Sequence, residues 1–268
     1  MGDMNTASVV FAAGKGTRMS GFDGNKTLLP LIPGDSIFQG DRPLLIEVLE
    51  NLPPGPKAVV VNFHKQEVLD ATAGMNLVYI DQPVTNGTGG ALLAAREFLE
   101  KIDAERVIVT MGDVPLVKKT TYERLLKQLG YEDMVVLGFS PRDRGRYGAL
   151  ETRGRNVTKI TEWQYWKDYP EARREELRLF NAGIYAAKTA VLRIYLKKLE
   201  ENPHVVTKNR DGRMVEIEEF FITDLIEFLN RDGLPVGFVE AEDEREVMGV
   251  DTPDALKCAQ RIYADERR

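Results

Sequence analysis

The sequence predicts an α/β fold: a mainly parallel mixed sheet with helices on both faces and a smaller part inserted late. Short apolar runs alternate with helical segments throughout the first half, the pattern of strands joined by crossover helices. The second half mixes a hairpin pattern with further helices. No Ser/Gly-rich linker, internal repeat or low-complexity tract divides the chain, so residues 1–268 are expected to form a single domain.

Each element follows from its local pattern. Ala7–Ala13 is an apolar run and reads as a buried strand; Lys57–Asn62, Asn76–Ile80, Arg106–Met111 and Met134–Phe139 read likewise. Helices are expected over Gln66–Ala73, Gly89–Ile102 and Lys118–Leu129, the second with Leu92, Leu93, Phe98 and Leu99 on or near one face. The Gly/Pro-rich stretch Pro33–Pro43 reads as a loop. Later, Tyr147–Thr152 and Val157–Glu162 flank Gly154 as a hairpin, and Phe180–Ala187 and Val236–Ala241 are strands. Ala190–Glu200 and Phe221–Asn230 are expected helices. A last helix opens at Thr252-Pro253-Asp254, where threonine caps and proline suits the first turn.

Composition excludes several function classes. With 36 Lys+Arg against 42 Asp+Glu the net charge is −6, which argues against a general nucleic-acid binder. One cysteine, Cys258, rules out an intrachain disulfide and a cysteine zinc site. Two distant histidines, His64 and His204, give poor support to a histidine metal site or a Ser-His-Asp triad. No apolar run suits a membrane span, and Met1–Ser8 carries no signal-peptide pattern, so a cytoplasmic protein is expected.

The strongest motif is Ala12-Ala13-Gly14-Lys15-Gly16-Thr17-Arg18-Met19, directly after the first strand. Glycines there let the backbone turn tightly and offer N–H groups to phosphate oxygens. Lys15, Arg18 and the following Lys26 add positive charge. The string fits neither the P-loop pattern nor the dinucleotide fingerprint, which needs glycine or alanine where Met19 stands. Gln82-Pro83-Val84-Thr85-Asn86-Gly87-Thr88 lies between a strand and a helix, and Gln82 offers both a donor and an acceptor, as a pyrimidine edge requires. Met111-Gly112-Asp113-Val114-Pro115 closes a strand, at the end where α/β sheets gather ligands, and an aspartate there suits a hard cation. A strand-end aspartate is also a common turn residue.

Together these strings resemble the sugar-phosphate nucleotidyltransferases, most closely the pyrophosphorylase domain of the bacterial N-acetylglucosamine-1-phosphate uridyltransferases. The likeness runs from about Ser8 to Tyr263 in a consistent order of motifs. It implies a Rossmann-like nucleotidyltransferase fold, with a nucleotide-binding part over about 7–140, a sugar-binding part over about 141–250 and a closing helix over about 252–265. It implies UTP and a sugar 1-phosphate, N-acetylglucosamine 1-phosphate foremost, as substrates, and Mg²⁺ as the cofactor. Ala12, Ala13, Gly14, Gly16, Gln82, Gly87, Thr88 and Gly112 match its nucleotide-binding positions. Arg18, Lys26 and Lys15 match its catalytic cations, and Asp113 and Asp251 its metal ligands. Gly148, Glu162 and Asn181 match its sugar contacts.

The sequence also departs from that family. Asp251 stands where asparagine is usual, Met111 where a polar or aromatic residue is frequent, and Ala149 where arginine is frequent. The Ile32–Pro43 loop is longer, and Trp163–Arg178 is unlike the family after Glu162. These departures leave the sugar and the base open, with glucose 1-phosphate or a thymidylate donor as alternatives. Nothing after Asp251 has the hexapeptide repeat of an acetyltransferase β-helix, so no acetyl transfer is expected of this chain.

Overall fold

The first apolar run becomes the middle of the sheet. In the computed structural model, which describes residues 5–210 and 213–267, β1 (Thr6–Phe11) is buried along its whole length. Its β-branched Val9 and Val10 suit a strand covered on both faces. A single 3₁₀ turn, Lys26–Leu28, leads into β2 (Pro30–Ser36), β3 (Gln39–Pro43) and α1 (Leu44–Asn51). Then come β4 (Lys57–Val61), α2 (Lys65–Ala71), β5 (Leu77–Asp81), α3 (Thr88–Ala94), α4 (Arg96–Lys101), β6 (Arg106–Met111), α5 (Lys119–Gln128) and β7 (Met134–Phe139). The second half adds β8 (Ala149–Arg153), β9 (Asn156–Thr161), α6 (Trp163–Trp166), α7 (Glu171–Glu176), β10 (Phe180–Lys188) and α8 (Thr189–Glu200). The chain continues through β11 (His204–Arg210), β12 (Arg213–Glu219), α9 (Asp224–Arg231), β13 (Val236–Glu240) and α10 (Pro253–Asp265).

The main sheet runs β13-β7-β10-β6-β1-β4-β5, with β8 and β9 attached beside β10. Every neighbour on that path is parallel except β10, which lies antiparallel between β6 and β7. The sheet is therefore mixed and mainly parallel, as the sequence predicts. Alternate residues of β1 face opposite sides: Val9 packs with Leu92, Leu99, Leu196 and Ile226, and Val10 with Leu45, Leu49, Tyr122 and Leu125. Helices thus cover both faces. Register aligns the carboxyl ends, since Phe11 pairs with Val60 on one side and Met111 on the other. The segments after β1, β4, β5 and β6 emerge at one edge, where ligands of such sheets gather.

Four local readings change. Pro33–Pro43 is mostly a two-stranded ribbon, β2 on β3, rather than a loop. Its prolines fall on a ribbon that stands outside the main sheet, where missing N–H groups cost little. Gly40, at φ 151°, allows the backbones to approach so closely that a Cβ would lie 2.1 Å from the Ile32 carbonyl oxygen. The Gly89–Ile102 helix is two helices, interrupted at Ala95, whose N–H bonds back three residues to Leu92. The helix expected from Phe221 starts at Asp224, after a turn in which the Asp224 N–H donates to the Phe221 carbonyl. The ribbon of β11 and β12 has no counterpart in the sequence reading.

The closing helix α10 is capped by Thr252, whose hydroxyl accepts from the Ala255 N–H at 3.2 Å, with Pro253 in the first turn. Leu256, Ala259 and Tyr263 pack on Met19, Leu29, Leu31 and Leu44. Gln260 is buried and donates to the carbonyls of Pro30 and Ile37, both at 2.8 Å. Among the described residues, no helix is long and apolar enough to cross a membrane. Gln260→Ala removes the donors of two carbonyls and should cost about 1–3 kcal/mol in denaturant unfolding; a change within about 0.5 kcal/mol would mean that the ribbon is held by packing alone.

Candidate active site

The carboxyl edge of the sheet carries a cleft of about 280 Å³. Ala12, Ala13, Gly14, Gln82, Gly87 and Thr88 line it, with Lys26 and Asp113 at its wall. Six of the eight expected nucleotide-binding residues therefore face one space. Gly112 and Gly16 support it from behind. Gly112 N–H donates to the Phe11 carbonyl at 2.9 Å, and a Cβ there would come within 3.2 Å of that oxygen. Gly16, at φ 60°, lies under the stem of Lys26, where a Cβ would sit 3.3 Å from two of its carbons. A side chain at position 16 would be strained and would displace the lysine. Lys15 stays exposed on the rim.

Glycine in the 86–89 segment has a reason the sequence did not show. A Cβ on Gly87 would lie 2.4 Å from the Phe220 carbonyl oxygen, and one on Gly89 would lie 2.7 Å from the Phe220 carbonyl carbon. The Phe220 N–H donates to Asn86 O at 2.9 Å, and the Gly89 N–H donates to Phe220 O at 2.8 Å. Gln82 is buried, and its amide nitrogen donates to Asn86 Oδ1 at 3.2 Å.

Charge converges at the mouth of the cleft. Asp113 follows β6, and Asp251 precedes α10. The Val250 N–H donates to the Asp113 carbonyl at 2.8 Å and so brings the two aspartates together. Both carboxylates accept from the Lys26 ammonium, and Arg18 donates to the second oxygen of Asp251 at 2.8 Å. Burial alone would push the Lys26 ammonium down; Asp113 and then Asp251 outweigh it, so its pKa lies above the ordinary lysine value. Tyr147 stands within electrostatic reach of Asp251 and Arg18, and burial, then Asp251, raises its hydroxyl pKa. Nothing in the sequence marks Tyr147 beyond its place next to Gly148.

The three expected sugar contacts also meet. Asn181 N–H donates to the Gly148 carbonyl at 2.8 Å, and a Cβ on Gly148 would lie 3.4 Å from a Glu162 oxygen. The Asn181 side chain is engaged locally: it donates to Tyr185 Oη at 2.7 Å and accepts from Gly183 N at 2.9 Å. Glu162 opens on a second cavity of about 340 Å³, lined also by Tyr165, Tyr169, His204, Phe221, Thr223 and Asp224. The divergent Trp163–Arg178 segment supplies its two tyrosines. Met111 lines the first space and lies 3.5 Å from where a Cβ on Gly183 would be. A larger cleft of about 770 Å³, between Thr6, Lys57, Arg106 and Lys119, lies at the opposite end of the strands and holds none of the expected residues.

A family model for the MobA-like NTP transferase domain matches residues 8–213. The chain belongs to the MobA-like NTP transferase domain family. The bifunctional protein GlmU of Sphingopyxis alaskensis is 31% identical over 268 residues, which are 98% of this chain and 53% of that protein. GlmU of Ruegeria sp. is also 31% identical, over 99% of this chain and 54% of that one. This NTP transferase domain thus spans about half the length of those curated relatives. Solved structures share its fold. A uridine diphosphate N-acetylglucosamine pyrophosphorylase from Trypanosoma brucei superposes with a TM-score of 0.71 at 14% identity, over 95% of this chain and 64% of that one. A putative glucose-1-phosphate thymidylyltransferase from Bacillus anthracis gives 0.67 at 19% identity, over 97% and 96%.

Burial, reinforced by Asp224, raises the Glu162 carboxyl pKa above the usual glutamate value, while a hydrogen bond from Thr223 opposes the shift. The folded state of this NTP transferase domain therefore favours the neutral acid. The stability that this preference contributes is complete below the unfolded-state pKa and is lost as pH rises through the folded one. Glu162→Gln keeps a neutral group at every pH. It should raise the melting temperature at about pH 8 and leave it nearly unchanged near pH 4; an equal shift at both pH values would show that Glu162 is not desolvated in this way.

Proposed function

We propose that the chain transfers a nucleotidyl group from UTP to a sugar 1-phosphate, N-acetylglucosamine 1-phosphate foremost, and releases pyrophosphate. The observation that carries this reading is the meeting of Lys26, Arg18, Asp113 and Asp251 at the mouth of a cleft lined by the glycine-rich turn. The GlmU relatives and the family of NTP transferase domains support the same chemistry.

In this reading an oxygen of the sugar phosphate attacks the α-phosphorus in line. The bond from that phosphorus to the bridging oxygen breaks, and its electron pair leaves on pyrophosphate. A phosphate monoester is already nucleophilic, so no general base is required, and the protein contributes positioning and charge. Gln82, Gly87 and Thr88 hold the base, and the turn from Ala12 to Gly16 faces the phosphates. Arg18 and Lys15 stabilise the charge building on pyrophosphate, and Lys26 bridges the reacting phosphates. Gly148, Glu162 and Asn181 hold the sugar.

The residues fit a magnesium ion. Two carboxylates already converge on one cation, the Lys26 ammonium. Magnesium commonly takes one or two protein carboxylates, and substrate phosphates and water complete its shell. Held by Asp113 and Asp251, it would supply charge neutralisation and orientation of the phosphates. Lys26 and Arg18, now spent on the aspartates, would then be available to phosphate oxygens.

Pyrophosphate release from a panel of nucleoside triphosphates and sugar 1-phosphates tests the reading. UTP with N-acetylglucosamine 1-phosphate is expected to lead; glucose 1-phosphate or a thymidine donor leading would redefine the substrates, and silence across the panel would reject the reading. Arg18→Ala should lower kcat on the order of 10²–10³ while changing UTP binding little. A raised KM at unchanged kcat would assign Arg18 to uniform binding instead. Asp113→Ala and Asp251→Ala should each nearly abolish turnover, with the double variant little worse than either, because residues that serve one ion act as a unit.

A further inference from the structure

Asn25, directly before Lys26, is fully buried. An asparagine side chain makes at most four strong hydrogen bonds, two donated by its nitrogen and two accepted by its oxygen. Asn25 makes all four. Its Nδ2 donates to the Ala12 carbonyl at 3.0 Å and to the Phe63 carbonyl at 2.9 Å. Its Oδ1 accepts from Thr27 N at 3.0 Å and from Thr27 Oγ1 at 2.8 Å. Its backbone N–H donates to Glu67 at 3.2 Å, and its carbonyl accepts from Leu28 N at 2.9 Å.

These partners belong to three separate segments. Ala12 opens the glycine-rich turn, Phe63 follows β4, and Thr27 lies in the 3₁₀ turn that carries Lys26. Ala12 is fixed from its other side as well, by its N–H on the Val60 carbonyl at 2.8 Å. Asn25 does not line the cleft. It sets the root of Lys26, while Gly16 sets the stem and the two aspartates hold the tip.

Resting on the nucleotidyl-transfer reading, we propose that Asn25 is a positioning residue. It locks the turn bearing Lys26 to the glycine-rich turn, so that the ammonium and the loop that receives the phosphates keep one fixed separation. No other ordinary side chain of this size reproduces the pattern. An ionised aspartate accepts only, and so presents an oxygen to two carbonyl oxygens. Serine keeps an acceptor for the Thr27 N–H but is too short to serve both carbonyls. Loss of the two donated bonds lets the 3₁₀ turn shift against the loop, and a misplacement of about 1 Å at a reacting centre costs on the order of 10²-fold in rate.

The test compares wild type, Asn25→Asp and Asn25→Ser in the pyrophosphate-release assay, at a temperature well below each melting point. Expected is a kcat lower by about 10–100-fold in both variants, with the KM for UTP within about threefold of wild type. The same Asn25→Asp change in a Lys26→Met background should cost less than about threefold, because both substitutions then act on one group. A lowered melting point with wild-type kcat would make Asn25 a stabilising core residue and overturn the inference. So would fully multiplicative losses in the double variant. If Asn25→Asp does not fold, Asn25→Ser and its Lys26→Met double carry the same comparison. A wild type silent with every substrate of the panel would reject the nucleotidyl-transfer reading, and the inference with it, whereas an active wild type beside unaffected variants rejects the inference alone.

Discussion

One backbone hydrogen bond organises the mouth of the cleft: the Val250 N–H on the Asp113 carbonyl. Asp113 ends a central strand of the sheet, and Asp251 belongs to the segment that returns after β13 to start α10. The bond links the end of a central strand to the segment that opens the closing helix. α10 in turn is held by Gln260 on the ribbon and by Tyr263, which donates to Glu47 at 3.0 Å. The site is thus completed from both ends of the fold.

Two carboxylates held together repel, and partial burial strengthens the repulsion. Lys26 answers both, and Arg18, more than half exposed, answers one of them again. Such a cluster is weak evidence for stability, because desolvating charges offsets much of what their pairing returns. Hydrophobic residues of like size would hold these segments as well. What the charges provide is a neutral assembly whose cations can be redistributed when an anionic ligand and a divalent cation enter together. That fits a reaction in which the protein supplies charge and geometry rather than a nucleophile.

Legibility in the sequence follows the range of the interaction concerned. The strands of the sheet were legible because apolar runs such as Val107–Val109 and Val135–Leu137 must be covered on both faces. Asp113 and the glycine-rich turn were legible because each motif is continuous. The Pro33–Pro43 ribbon was not, because proline and glycine are breakers by propensity and its contacts with Gln260 are remote in sequence. α1 begins after Pro43 without a side-chain cap bond and so carries no start signal. The close approach of the Phe220 backbone to Gly87 and Gly89 was not legible, because Phe220 is remote in sequence. Asn25 and Tyr147 were invisible for the same reason: their partners, Ala12 and Phe63 for one and Asp251 for the other, are assembled only by the fold.

The seam at Phe220 also separates two kinds of constraint. On one side lie the glycine-rich turn and the charged cluster, rooted in the central strands of the sheet. On the other lie Glu162, Thr223 and Asp224, supplied by a hairpin that joins the sheet through the pairing of Ala149 with Phe180 and by a turn before α9. Side chains such as Tyr165 and Tyr169 can change without disturbing β1, β4 or β6, whereas a change at Gly87 or Gly89 forces the Phe220 backbone to move. Two departures from the uridyltransferase pattern, Trp163–Arg178 and Ala149, lie on the Glu162 side, whereas Asp251, Met111 and the Ile32–Pro43 ribbon lie with the cleft and its charged cluster. The cleft with its charged cluster and the cavity at Glu162 therefore answer to different parts of the sequence. On the proposed reading, the choice of acceptor lies with the residues around Glu162 and the transfer step with those around Lys26.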